Sequence, residues 1–194
     1  QDSHIIDLTK TVEGLEKALP AITKAVESGR KVLFVGTKKQ VKEAVREAAE
    51  SVKQPYVVER WVGGMLTNSA TVNQQIKKLK TLEKRMASGE LAKRYSKLEV
   101  QRYAEEIEAL NTKYGGIKDL MGRPGILFVT DAIADANAIR EAKTLNIPVV
   151  AIVDTNVNPD GIDYVIPAND DAIKGIKLLL DYAIEAIKEA KTDK

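Results

Sequence analysis

The strand–helix rhythm of this chain breaks once, and the break limits what the chain can fold into. Short apolar runs alternate with amphipathic stretches along most of the sequence. Between Trp61 and Gly125, however, more than 60 residues intervene. A crossover helix and its loops need about half that length. Something is therefore inserted between two strands of a sheet.

The strands themselves are recognisable. Residues 31–36 (KVLFVG), 56–61 (YVVERW), 125–130 (GILFVT), 147–154 (IPVVAIVD) and 163–166 read as five strands. Continuous apolar runs of this length, rich in β-branched residues, suit strands buried on both faces. Helices are expected over 11–28, from Thr37, over 134–145 and from Asn169 or Asp170 onward. In the first, Val12, Leu15, Leu19, Ile22 and Val26 make one stripe, with Pro20 inside it as an expected kink or break. For the second, Thr37 and Gln40 suggest a capping box. Alternation of this kind means an α/β fold: a doubly wound five-stranded parallel sheet, flavodoxin-like, in the order 2-1-3-4-5.

The insertion reads as helical. Val72, Ile76, Leu79, Leu82 and Met86 form one stripe. Val100, Tyr103, Ile107, Leu110 and Tyr114 form another at heptad spacing. Ser88-Gly89 punctuates the turn between them. The expectation is an inserted antiparallel coiled-coil helical hairpin over residues 67–114, with residues 1–66 and 115–194 making the sheet domain. Paired glycines stand at both feet, Gly63-Gly64 and Gly115-Gly116.

Charge separates along the chain rather than accumulating. There are 30 Lys+Arg against 28 Asp+Glu. Residues 71–113 hold ten basic and six acidic side chains, whereas 154–171 hold five Asp and no Lys or Arg. A basic surplus on a hairpin suits RNA phosphates, although it also suits a solvated face. The absence of cysteine removes thiolate metal sites, disulfides and cysteine nucleophiles, and fits a reducing cytoplasm. No apolar run reaches membrane-spanning length, so no membrane partner is expected. The single histidine, His4, has no visible catalytic partner.

Two enzyme-like signals stand beside bland alternatives. Gly36-Thr37-Lys38-Lys39 follows a strand and opens a helix, a place that attracts phosphate. Neither glycine-rich nucleotide fingerprint is present, and a simple helix cap explains the same residues. Asp131 and Asp154 end two strands, where α/β enzymes place Mg²⁺-binding carboxylates. Asp at a strand end is also an ordinary turn residue. No catalytic residue, metal site or cofactor is therefore assigned, and incidental Mg²⁺ at Asp131 or Asp154 stays open.

Arg60–Asn68 (RWVGGMLTN) is the most unusual stretch. An arginine and the only tryptophan precede two glycines and a Thr/Asn helix start. Arginine recognises phosphate and tryptophan stacks or packs. A tight junction launching the hairpin is the alternative.

These segments, taken in order, resemble the universal ribosomal protein two family, the second protein of the bacterial small ribosomal subunit. The resemblance rests on His4–Leu8, Lys31–Lys38, Arg60–Asn68, Gly115–Asp119, Pro148–Asn156 and Asp160–Ile176, and nearly spans the chain. It implies a non-enzymatic cytoplasmic ribosome component. That component binds small-subunit ribosomal RNA and neighbouring ribosomal proteins, including the large mRNA-binding one. The matched motif implies RNA contacts at Arg60, Gly63, Gly64, Thr67 and Asn68, with Lys38 and Lys118 added. Lys77, Lys78 and Lys80 are added on charge alone. Members of the family also carry a basic, aromatic segment ahead of His4, which would supply further RNA contacts.

Overall fold

The computed structural model describes residues 8–155, 157–169 and 171–192. The expectations for His4 and for an Asp170 cap fall outside them. In chain order the elements are α1 (Leu8–Glu27), β1 (Val32–Val35), α2 (Lys42–Ser51), β2 (Tyr56–Val57), α3 (Ser69–Ala87), α4 (Glu90–Arg94) and α5 (Lys97–Tyr114). A 3-10 turn (Gly115–Ile117) follows. Then come β3 (Ile126–Val129), α6 (Ala136–Thr144), β4 (Val149–Val153), β5 (Tyr164–Pro167) and α7 (Ile173–Thr192).

All neighbouring strands pair in parallel, in the order β2-β1-β3-β4-β5. The flavodoxin-like expectation holds. The period of two along each strand sends alternate side chains to opposite faces. Val32, Phe34, Ile126, Phe128, Val150 and Ile152 meet α1, α2 and α7 on one face. Leu33, Val35, Leu127, Val129, Val149 and Ala151 share the other core with α6 and the insertion. Phe34 and Phe128, paired across β1 and β3, place their rings 5.5 Å apart.

Several local expectations change. Pro20 does not divide α1, which runs unbroken from Leu8 to Glu27. Burial of Leu15, Ala18, Ile22 and Val26 against the sheet outweighs the lost backbone bond. Val12 leaves the expected stripe and is exposed. The second strand shrinks to Tyr56–Val57, because only those residues find partners on β1. The capping box at Thr37 is absent, and α2 begins at Lys42 with Val41 in the cap position. The reason is distant in sequence. The Thr37 hydroxyl donates to Asp135 Oδ1 at 2.6 Å, and its backbone N–H points to the same carboxylate.

The insertion does not stand apart from the sheet. Val72, Ile76, Leu79 and Leu82 of α3 belong to the same core as Leu33 and Val35, and Leu79 is fully buried. On α5, Leu110 and Tyr114 are buried. Tyr103, Ile107 and Val100 are only partly so, and Leu98 is exposed. The α3–α5 contact is thus tight near the sheet and loosens toward Leu98. Asn111 donates to Glu83 at 2.9 Å, and Lys78 pairs with Glu106. Ser96 and Glu99 form a reciprocal capping box that starts α5. Among the described residues, no helix is long and apolar enough to cross a membrane.

Candidate nucleic-acid interface

Two places could hold function: the crevice where the sheet order reverses, and the junction that leaves β2. The crevice lies beyond the carboxyl ends of β1 and β3, where doubly wound folds bind ligands. Here its groups are engaged with one another. Lys38 Nζ contacts Asp131 Oδ2 at 3.1 Å and also pairs with Asp171. The other oxygen of Asp131 accepts from the N–H groups of Ile133 and Ala134, at 2.9 and 3.0 Å. Asp135, almost fully buried, is held by Thr37. A Cβ on Gly36 would stand 2.6 Å from Val45 and 2.8 Å from Thr130. The crevice is therefore packed, and its polar groups are bonded to one another. Asp154 accepts from its neighbour Thr155 at 2.7 Å, as a turn residue does. Among the described residues, no three acidic or histidine side chains gather as a metal site.

The junction after β2 is organised around one carboxylate that the sequence reading did not single out. Glu141, on α6, accepts from Trp61 Nε1 at 2.6 Å and from the Gly64 N–H at 3.2 Å on one oxygen. Its other oxygen accepts from the Leu66 and Thr67 N–H groups, both at 3.2 Å, and from the Thr67 hydroxyl at 2.9 Å. Trp61 is buried beneath this node along with Met65 and Leu66. Gly64 takes φ +89, so the chain can reverse and let the Asn68 N–H reach the Gly64 carbonyl at 2.7 Å. Arg60, Gly63, Thr67 and Asn68 are exposed. Arg60 has no charge partner among the described residues.

The remaining basic candidates lie on or beside the insertion. Lys77 is exposed and unpaired among the described residues. Lys80 stands 3.7 Å from Asp119, and Lys118 stands 3.3 Å from Glu83. Such pairs at a surface contribute little, about 0–1 kcal/mol, and exchange readily for another anion. Lys38 differs, because its partner Asp131 is buried.

Nearly the whole chain also matches known proteins. Residues 1–190 match the family model for ribosomal protein S2. The chain belongs to the ribosomal protein S2 family. It is 50% identical over 188 residues to the small ribosomal subunit protein uS2 of Tolumonas auensis, covering 97% of this chain and 77% of that one. It is likewise 50% identical over 188 residues to the same-named protein of Vibrio cholerae, with the same coverage. The protein of that name from Bacteroides fragilis is 47% identical over 195 residues, covering 98% of this chain and 70% of that one.

In this S2-family chain the motif residues 60–68 are gathered at one junction, while Lys38 lies in the crevice with Asp131. The sequence held one hint of the Glu141 node: a buried indole N–H requires an acceptor. Nothing near Trp61 in sequence revealed that the acceptor lies 80 residues away.

The two buried-side carboxylates respond oppositely to pH. Burial pushes Glu141 up, but the bonds from Trp61, Thr67 and Leu66 outweigh it and hold the carboxyl below its ordinary 4.5. Its contribution to stability is present above that ordinary value and lost as pH falls through the lower folded value. Asp135 is raised above its ordinary 3.8, chiefly by burial, with the Thr37 bonds opposing. Stability from that group is greatest below 3.8 and declines as pH rises through the folded value. The Asp135→Asn variant should therefore lose less stability than wild type between acidic and neutral pH. Glu141→Gln should lose less than wild type on acidification below 4.5. Chemical denaturation at a series of pH values checks both, and curves parallel to wild type would refute them.

Proposed function

We propose that this chain is a structural constituent of the small ribosomal subunit. It binds ribosomal RNA and neighbouring small-subunit proteins, the large mRNA-binding one among them, and so supports subunit assembly and translation in the cytoplasm. The observation that carries this reading is the family match across nearly the whole chain. The geometry supports it. RNA would meet Arg60, Gly63, Gly64, Thr67 and Asn68 at the junction, Lys77, Lys78 and Lys80 on the insertion, and Lys118 just past its return to the sheet. Arg60 and Lys77 are exposed and unpaired among the described residues, ready for phosphate. Lys80 and Lys118 have surface partners that RNA can replace. In this reading residues 67–114 act as the arm and residues 1–66 with 115–194 as the base, with one core running through the foot of the arm.

The role is non-catalytic in this reading. A Mg²⁺-dependent phosphoryl-transfer reading has less support, since the Asp131 carboxylate is occupied by Lys38 and two backbone N–H groups. Lys38 is accordingly the weakest of the RNA candidates.

Neutralising about six phosphates should make RNA affinity fall on the order of 10³-fold between about 50 and 200 mM salt. Arg60→Glu should weaken binding at every salt concentration and reduce the log–log slope by about one. Fluorescence anisotropy with a small-subunit ribosomal RNA transcript measures both. A flat salt profile, with Arg60→Glu binding as wild type does, would count against the reading.

A further inference from the structure

We infer that Glu141 is a positioning residue for the RNA-contacting loop: its carboxylate shapes residues 61–67 so that Arg60, Gly63 and Asn68 are presented to RNA. The inference rests on the proposed RNA-binding role of that loop and adds the group that sets its shape.

The geometry is specific. Five donors from Trp61, Gly64, Leu66 and Thr67 converge on the two oxygens of one side chain. Without the carboxylate, the indole N–H of Trp61 and the backbone N–H of Leu66, both on buried residues, would be left without an acceptor where water reaches poorly. Among the described residues no other hydrogen bond holds those donors, so the carboxylate substitutes for the pairing that β2 would have supplied had it continued. β2 stops at Val57, and the chain needs another anchor before α3 begins at Ser69. Glu141 provides it from α6, a helix packed on the same face of the sheet.

The node also sorts the loop residues by what they can offer. The N–H groups of Gly64 and Thr67 and the Thr67 hydroxyl proton are already committed to Glu141, so RNA would meet these two residues through their remaining surface and not through those donors. Arg60 is not committed. Gly63 has open space where a Cβ would be, so RNA backbone can approach it closely. The Asn68 side-chain nitrogen has no hydrogen-bond partner among the described residues, although its side-chain oxygen accepts from the Thr71 hydroxyl at 3.2 Å. Glu141 is thus a negative charge that promotes binding to a negative polymer. It does so through the shape of the loop, because neutral N–H and O–H donors occupy both of its oxygens and stabilise its charge.

Glu141→Gln tests this with opposite signs for the two possible effects. The amide is the same size but turns one acceptor into a donor. In either orientation that donor faces donors of the loop. If Glu141 acted only as one more surface charge, removing it would tighten RNA binding. If it positions the loop, removing it should weaken RNA binding about tenfold or more at constant salt. Anisotropy is measured well below the melting temperature, on protein shown by circular dichroism to be folded. The emission of Trp61, the sole tryptophan, should shift in the same variant as its indole loses Glu141. Trp61→Phe keeps an aromatic ring while removing one donor, and should give a smaller loss in the same direction. It serves if Glu141→Gln fails to fold.

Arg60→Glu, run alongside, separates the two layers of the claim. Weakened binding by both variants supports the positioning role. Weakened binding by Arg60→Glu with unchanged or tighter binding by folded Glu141→Gln, or by Trp61→Phe in its place, overturns the positioning role and leaves the RNA reading standing. Unchanged binding by both overturns the RNA reading for this loop, and the positioning role with it.

Discussion

Replacing Gly116 with alanine is expected to lower the melting temperature by roughly 6–12 °C, the shift that about 3 kcal/mol produces in a domain of this size. Gly116 sits in the 3-10 turn where the insertion returns to the sheet. A Cβ there would stand 2.1 Å from the Tyr56 carbonyl oxygen, and 2.7 and 2.8 Å from two carbons of its ring. A ring can swing aside, but the carbonyl is backbone. Tyr56 is one of only two residues in β2, and it pairs with Phe34. Relieving the clash therefore means moving the edge strand or the return of the insertion. Gly63 is the control: nothing lies within 4 Å of its Cβ position, and alanine there should change stability by less than about 0.5 kcal/mol. Thermal melts of the two variants decide it. Equal melting temperatures would mean that the contact at Gly116 does not constrain the return.

Leu79→Ala is expected to cost about 2–5 kcal/mol, the range for a buried leucine that leaves a cavity. Leu79 lies in the middle of α3 and is fully buried, in one core with Leu33, Val35 and Trp61. Leu98, also on the insertion but 63% exposed, should tolerate alanine within about 0.5 kcal/mol. The contrast tests how the insertion is built. If its foot is part of the sheet's cover, Leu79→Ala lowers the stability of the whole chain in one transition. If the insertion were an arm with its own separate stability, Leu79→Ala would split the unfolding curve and leave the sheet's transition in place. Denaturant curves followed by circular dichroism and by Trp61 emission distinguish the two. Trp61 reports the core at the junction.

The sheet was legible because its signal is local. The runs at 31–36 and 125–130 are apolar without interruption, and only a strand covered on both faces uses such a run. The order 2-1-3-4-5 was an expectation from the doubly wound fold class and not from the runs, and the observed pairing matches it. The stripe on α3 was legible for the same reason, and Val72, Ile76, Leu79 and Leu82 are all buried. What escaped reading depends on partners far away in sequence. Thr37 looked like a helix cap, but Asp135 takes its hydroxyl and α2 starts five residues later. Pro20 looked like a break, but burial of α1 carries the helix through it. The RWVGGMLTN stretch declared itself unusual through its composition. Its organiser did not, because an acid on an amphipathic helix normally just faces solvent. The basic residues could be counted from sequence, but their pairing could not: Lys38 with Asp131 and Lys118 with Glu83 emerge only from the fold.

The central claim, that this chain is built to sit on the small ribosomal subunit through its RNA, is tested most directly by sedimentation. Small subunits stripped of their own S2-family protein are mixed with this chain and spun at about 50 mM and at about 200 mM salt, the range over which phosphate contacts weaken steeply. The account predicts co-sedimentation with stripped subunits at the lower salt, release toward the higher, and little binding to subunits that retain their own copy. Failure to sediment with stripped subunits at low salt, or equal binding to stripped and intact subunits, would contradict it.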